Sequence, residues 1–188
     1  MNKTKKFSIV FLAVVVLPIC LWGQKTVHTS FPDMPIDENT KLVSYKQVVP
    51  MQGSSEELYN RAHAWANKYY KNPVVAIKRA DKAKGELECV SNIPIYTLDK
   101  DGVTKVSAGY VYYTLTIEAR ENRYRYTITD IHKREQAQFP IEKWLDKSRP
   151  EWTAVRYDHL HQIDAAVKLL MQSIEEGMLP AKVIIDEW

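Results

Sequence analysis

Three long β-rich stretches joined by two tight turns constrain this chain more than any other feature. Residues 86–98 alternate in part, Asp99-Lys100-Asp101-Gly102 is a strong hairpin signal, and residues 103–120 run long and β-rich. Glu121-Asn122 then closes a second hairpin before residues 123–132 return. Connections this short cannot join parallel neighbours, which need a crossover of a dozen residues or more, so the centre of the fold is an antiparallel meander. Pro94 inside the first stretch argues for an edge or a bulge. Two further strands precede the meander. Residues 41–49 alternate loosely, with Val43, Tyr45 and Val49 on one side and Lys46 on the other. Residues 74–80 are apolar and β-branched, and Asp81-Lys82-Ala83-Lys84-Gly85 turns the chain into the meander.

Two helices complete the pattern. Ser54 with Glu57 three residues later has the spacing of a capping box. Leu58, Ala62, Trp65, Ala66 and Tyr69 follow at helical spacing, and Asn72-Pro73 ends the helix because the residue before proline is pushed out of the helical region. The second helical stripe is Leu160, Ile163, Val167, Leu170 and Ile174, ending before Gly177. Pro140 to Leu145 reads as a single helical turn. The element order is therefore β-α-β-β-β-β-α, an α+β layer of about five antiparallel strands with two helices on one face.

The ends of the chain carry a different message. Lys3, Lys5 and Lys6 precede an almost wholly apolar run from Phe7 to Leu17, with Pro18 shortly before a cut after Gly23, which is the three-part layout of a secretory signal. The run is shorter than the roughly 20 residues that span a bilayer as a helix. The lesser reading is lipid attachment at Cys20, against which Ile19 is too large for the residue before an acylated cysteine. The whole chain has 26 basic and 23 acidic residues, a net charge of +3. No acid falls in the first 23 residues, so beyond Gly23 the two signs balance and no general field remains to draw in polyanions. With Cys20 removed, Cys89 stands alone, on the same side of its strand as Leu87, and reads as a small buried apolar residue. Residues 24–40, with Pro32 and Pro35, form an extended leader, and residues 41–176 a single domain. The apolar end at 177–188, with Val183, Ile184, Ile185 and Trp188, packs on the domain or on a partner.

Several short segments together resemble a known family. These are Asp37-Glu38-Asn39-Thr40-Lys41, Glu57-Leu58-Tyr59-Asn60-Arg61-Ala62 with Trp65, Asp81-Lys82 with Gly85, Tyr110-Val111-Tyr112-Tyr113-Thr114-Leu115, and Tyr124-Arg125-Tyr126-Thr127-Ile128-Thr129-Asp130. In this order they resemble the bacterial exported family called domain of unknown function 4468, described as having a TBP-like fold. The resemblance implies that fold and a periplasmic or secreted location, and it brings no catalytic residues with it.

Chemistry has few footholds. Asp130 and His132, two apart at a strand end, share a face, and a carboxylate orienting a histidine is how a general base is built. No nucleophile elbow or H-E-x-x-H run accompanies them, so the competing reading is a solvated strand end. His159 and His161 lie about 200° apart on a helix and read as solvated surface histidines rather than a metal pair. Glu56 and Glu57 suit a helix's first turn, and Glu175 with Glu176 reads as solvated. No cofactor and no metal is implied. Alternation directs Val111, Tyr113, Leu115 and Ile117 toward the helices, leaving Tyr112, Thr114, Arg125 and Thr127 outward as a face for a protein or small ligand. The expectation is thus a non-catalytic binding module of a bacterial cell envelope. An envelope hydrolase built on Asp130 and His132 is the alternative, and nucleic-acid binding through the sheet a distant third. A free sheet edge also offers self-association by strand addition.

Overall fold

The computed structural model describes residues 28–134 and 137–180. The signal-like segment 1–23, the start of the leader and the apolar residues 181–188 lie outside the described residues.

The capping box forms as the sequence predicts. The Ser54 side chain accepts from the Glu57 backbone N–H, and Glu57 Oε2 accepts from Ser54 N at 2.8 Å, which starts helix α1 (Ser55–Tyr69). The expected strand 74–80 divides. Asn72 caps Val75 N with its side-chain oxygen, and Pro73, pre-set for a first helical position, opens a single helical turn, α2 (Pro73–Ala76). Only Ile77–Asp81 remain as strand β2. Apolar β-branched composition thus yields to capping chemistry at the segment's start.

The remaining strands are β1 (Tyr45–Pro50), β3 (Glu86–Leu98), β4 (Lys105–Arg120), β5 (Arg123–Arg134) and β6 (Gln138–Pro140). Every pairing is antiparallel, in the order β1-β5-β4-β3-β2. The sheet has six strands rather than about five, because β6 pairs with the end of β5 from His132 to Arg134, beyond the reach of β1. A 3-10 turn follows at Ile141–Trp144, and then α3 (Val155–Gly177), which starts five residues before the apolar stripe that announces it.

One face of the sheet meets both long helices. Leu87, Cys89, Val111, Tyr113, Leu115, Ile117, Tyr124, Tyr126 and Ile128 form a continuous core with Leu58, Ala62 and Trp65 of α1 and Leu160, Ile163, Val167 and Leu170 of α3. Period-2 strands and period-3.6 helices each supply one apolar face, and joining the two removes both from water. Cys89 is fully buried within it, and desolvation pushes its thiol up to about 12, so it serves as a small apolar side chain.

The described part of the leader packs onto the domain. Met34 is buried, Ile36 bridges Val43, and Phe31 meets Tyr157 with ring centroids 4.9 Å apart. No helix among the described residues is long and apolar enough to cross a membrane.

Candidate interaction face of the sheet

The second face of the sheet carries the outward members of the alternation. Register places them in rungs that run from strand to strand. Lys46, Thr127, Thr116 and Glu88 form one, and Val48, Arg125, Glu118 and Glu86 the next toward the β4–β5 turn. In the other direction come Thr129, Thr114 and Val90, then His132, Tyr112 and Asn92. Pro94 and Tyr110 face each other one step further. The four residues expected to lie outward, Tyr112, Thr114, Arg125 and Thr127, are therefore on one face, set diagonally across four rungs and each half-buried.

The two ends of this face differ in chemistry. Toward the β3–β4 hairpin it is aromatic and apolar. Tyr110 is 54% exposed, and the Arg134 guanidinium lies 4.5 Å from the centroid of the Tyr112 ring. Toward the β4–β5 turn it is ionic. Arg125 Nε donates to Glu118 Oε2 at 2.6 Å, and Arg79 of β2 reaches Glu88 at 3.1 Å and Glu86 at 3.9 Å. Sequence reasoning captured Arg125 and Tyr112, but it missed Tyr110 with Pro94 and the pairing of Arg120 with Arg123. The second pair was readable in principle, since residues flanking a two-residue turn must face each other.

The pair Asp130 and His132 is brought together in an unexpected way. Asp130 has a positive φ of 52° at a register shift in β5, an extra residue that moves the following positions out of phase. His132 therefore leaves the core face and stacks on Tyr112, with centroids 5.9 Å apart and planes 19° apart. It is nevertheless 5% exposed whereas the Asp130 side chain is 54% exposed, so the expected solvated strand end holds for Asp130 and not for His132. Its Nδ1 lies 2.8 Å from the Asp130 carbonyl oxygen and 3.5 Å from Asp130 Oδ1. Nε2, the atom a general base would present to substrate, is buried without a hydrogen-bond partner. The Nδ1 contact to the backbone carbonyl lies within the bulge, and the other nitrogen is buried.

His159, His161, Glu175 and Asp164 each make a packing or hydrogen-bond contact. His159 is buried rather than solvated, because the earlier start of α3 puts it one turn ahead of Ile163 on the inward side. Its Nε2 is 3.0 Å from Thr97 Oγ1, while desolvation, with Arg156 and Lys133 nearby, lowers its pKa to about 4. His161 instead stacks on His28 of the leader at 3.6 Å. Glu175 is not simply solvated, since it accepts from the Tyr126 hydroxyl at 2.7 Å. Asp164 is buried and bridges Tyr45 Oη at 2.8 Å and Lys168 Nζ at 2.7 Å, a link between β1 and α3 that no local pattern announces. Among the described residues, no group of three or more His, Cys, Asp or Glu is placed to hold a metal ion.

The free edge of β3 is occupied as well. Beyond Cys89 the strand has no β2 partner, and Gln162 of α3 accepts from Tyr96 N at 2.9 Å and donates to Tyr96 O at 2.8 Å. A side-chain amide thereby takes the place of a neighbouring strand. Pro94, two residues earlier, turns its nitrogen to the same edge, where no ladder bond is lost.

Comparison with known proteins agrees with this architecture. Residues 45–134 match the family model described as domain of unknown function (DUF4468) with TBP-like fold. A DUF4468 family protein from Bacteroides ovatus ATCC 8483 superposes with a TM-score of 0.61 at 15% identity, over 80% of this chain and 92% of that one. A TBP-like protein from Parabacteroides distasonis ATCC 8503 gives 0.51 at 18% identity, over 76% and 97%. No curated protein matches the chain. Its strands and helices thus form a TBP-like α+β fold, and residues 45–134 carry the part of the chain that is similar to the DUF4468 family.

Proposed function

We propose that this chain is an exported, non-catalytic interaction module of a bacterial cell envelope, and that the helix-free face of its sheet is the contact surface. The observation that carries the reading is the division of labour between the two faces. One face is fully committed to a core, while the other presents Tyr110, Tyr112, Thr114, Thr127 and Arg125 with no described helix over them. Exposed tyrosines beside arginines on a rigid sheet supply contact area at low entropic cost. Export is supported by the three-part N-terminus.

The hydrolase reading draws only on the proximity of Asp130 and His132, and the buried Nε2 works against it. Duplex DNA on this face would meet Glu86, Glu88 and Glu118. Site-specific photo-crosslinking in the native envelope tests the proposal. A crosslinker at Tyr110 or Thr114 should trap one discrete partner that a crosslinker at the exposed Leu169 of α3 does not trap. Equal trapping from both positions, or from neither, would refute the assignment of the face.

A further inference from the structure

We propose that the ionic end of the open face binds a phosphate group through Arg120 and Arg123. The inference deepens the reading of the sheet face as a contact surface by naming the chemistry of what it contacts.

Arg120 and Arg123 are direct cross-strand partners, the pair that closes the β4–β5 turn. Like charges directly opposite on adjacent strands oppose folding. Nothing among the described residues relieves this pair, since neither arginine makes an ion pair or a side-chain hydrogen bond there. The surrounding carboxylates are committed elsewhere: Glu118 to Arg125, and Glu86 with Glu88 to Arg79. Glu121 sits in the turn itself and is exposed.

The strands cannot spread to lower the repulsion. Asn122 N donates to Gly53 O at 2.9 Å, Met51 N donates to Asn122 O at 3.1 Å, and Gly53 N donates to Asn122 Oδ1 at 3.3 Å. On the other strand, Ala119 N donates to Gly85 O at 2.8 Å, and Ser55 Oγ donates to Ala119 O at 2.9 Å. The turn is pinned from both sides, so the backbone keeps the two arginines opposite each other while their side chains reach into solvent. They border a 350 Å³ depression whose wall includes Val48, Glu118 and Arg125.

The choice of phosphate over carboxylate follows from the neighbouring rung. There a single arginine already satisfies a carboxylate, as Arg125 does for Glu118. Two opposed forks offer more N–H donors than one carboxylate can accept, and they suit the oxygens of a tetrahedral phosphate group. The group can arrive as free phosphate or as a phospholipid headgroup.

The test is a titration of the isotope-labelled full chain with inorganic phosphate, following the arginine Nε–H signals, alongside sedimentation with phosphatidylglycerol and with phosphatidylcholine vesicles. The Arg120 and Arg123 signals should move and saturate at about 1 mM phosphate or below. R120Q/R123Q should weaken binding by at least about tenfold, while K71Q, at an exposed residue away from this end of the sheet, leaves it unchanged. Retention on phosphatidylglycerol vesicles alone identifies the headgroup as the source, and response to phosphate without vesicle retention identifies the free anion. Absence of both responses, or equal binding by R120Q/R123Q, overturns the site. Because both arginines are exposed, the variant should fold, and loss of their repulsion should raise its thermal midpoint at low salt. A partner still trapped from Tyr110 in R120Q/R123Q would show that the sheet-face reading survives even if the phosphate site does not.

Discussion

Replacing His159 by glutamine should remove an acid sensitivity worth about 2 kcal/mol. The imidazole is buried between Thr97, Trp144 and the start of α3, with Arg156, Lys133 and Asp158 as its charged neighbours. Nδ1 has no partner, so the neutral ring is cheapest with Nε2–H donating to Thr97 Oγ1 and Nδ1 left as a bare acceptor. Protonation would put an unsatisfied N–H and a positive charge beside two cations.

The folded pKa is accordingly lowered from 6.5 to about 4. A group whose folded value lies below its unfolded value contributes no penalty above the unfolded value. Between the two, the unfolded chain takes up the proton and the folded one does not, so stability falls as the pH drops from about 6.5 toward about 4. The full interval is worth about 3 kcal/mol, of which about 2 kcal/mol is already lost near pH 4.5.

Glutamine preserves a nitrogen near the Nε2 position but cannot titrate. Urea unfolding at neutral pH and near pH 4.5 gives the loss of stability for each protein, and the comparison cancels any constant cost of the substitution. The wild-type chain should lose about 2 kcal/mol more than H159Q. Equal losses would refute the reasoning and move the acid sensitivity to the carboxylates.

Three further outcomes follow from the packing. Gly177→Ala would add a methyl 2.8 Å from Trp65 Cγ and 3.0 Å from its Cβ, so a change that normally favours a helix should cost about 1–3 kcal/mol in urea unfolding. Tyr45→Phe removes one of the two donors to buried Asp164 and should cost about 1–3 kcal/mol, while Lys168→Ala, at a more exposed partner, should cost less. Gln162→Ala uncovers the N–H and C=O of Tyr96, and sedimentation velocity should then show concentration-dependent self-association that the wild-type chain lacks.

The fold was legible wherever local chemistry and global packing agree. Ser54 and Glu57 announce α1, the two tight turns enforce antiparallel neighbours, and alternation along β4 assigns Tyr113 inward and Tyr112 outward. Legibility failed where a local rule competes with another. Asn72-Pro73 both ends one helix and opens another, which shortens β2. Asp130 inserts an extra residue, and simple alternation cannot foresee that His132 changes face. The candidate face was half visible, because Tyr112 and Arg125 follow from parity and the meeting of Arg120 with Arg123 from the two-residue turn, whereas the meeting of Pro94 with Tyr110 is a matter of register.

By itself, then, the sequence determined the order of elements, the antiparallel centre and the apolar faces that join into a core, because hydrophobic period and turn chemistry act over a few residues. Tertiary structure alone decided which polar groups are spent and which are left over. Asp164 reaches Tyr45 across 119 residues, Gln162 covers an edge 66 residues away, and Glu118 binds Arg125 while Arg120 and Arg123 have no such partner among the described residues. A charge or an amide interacts with whatever the fold brings within about 3 Å, and nothing along the chain records that distance.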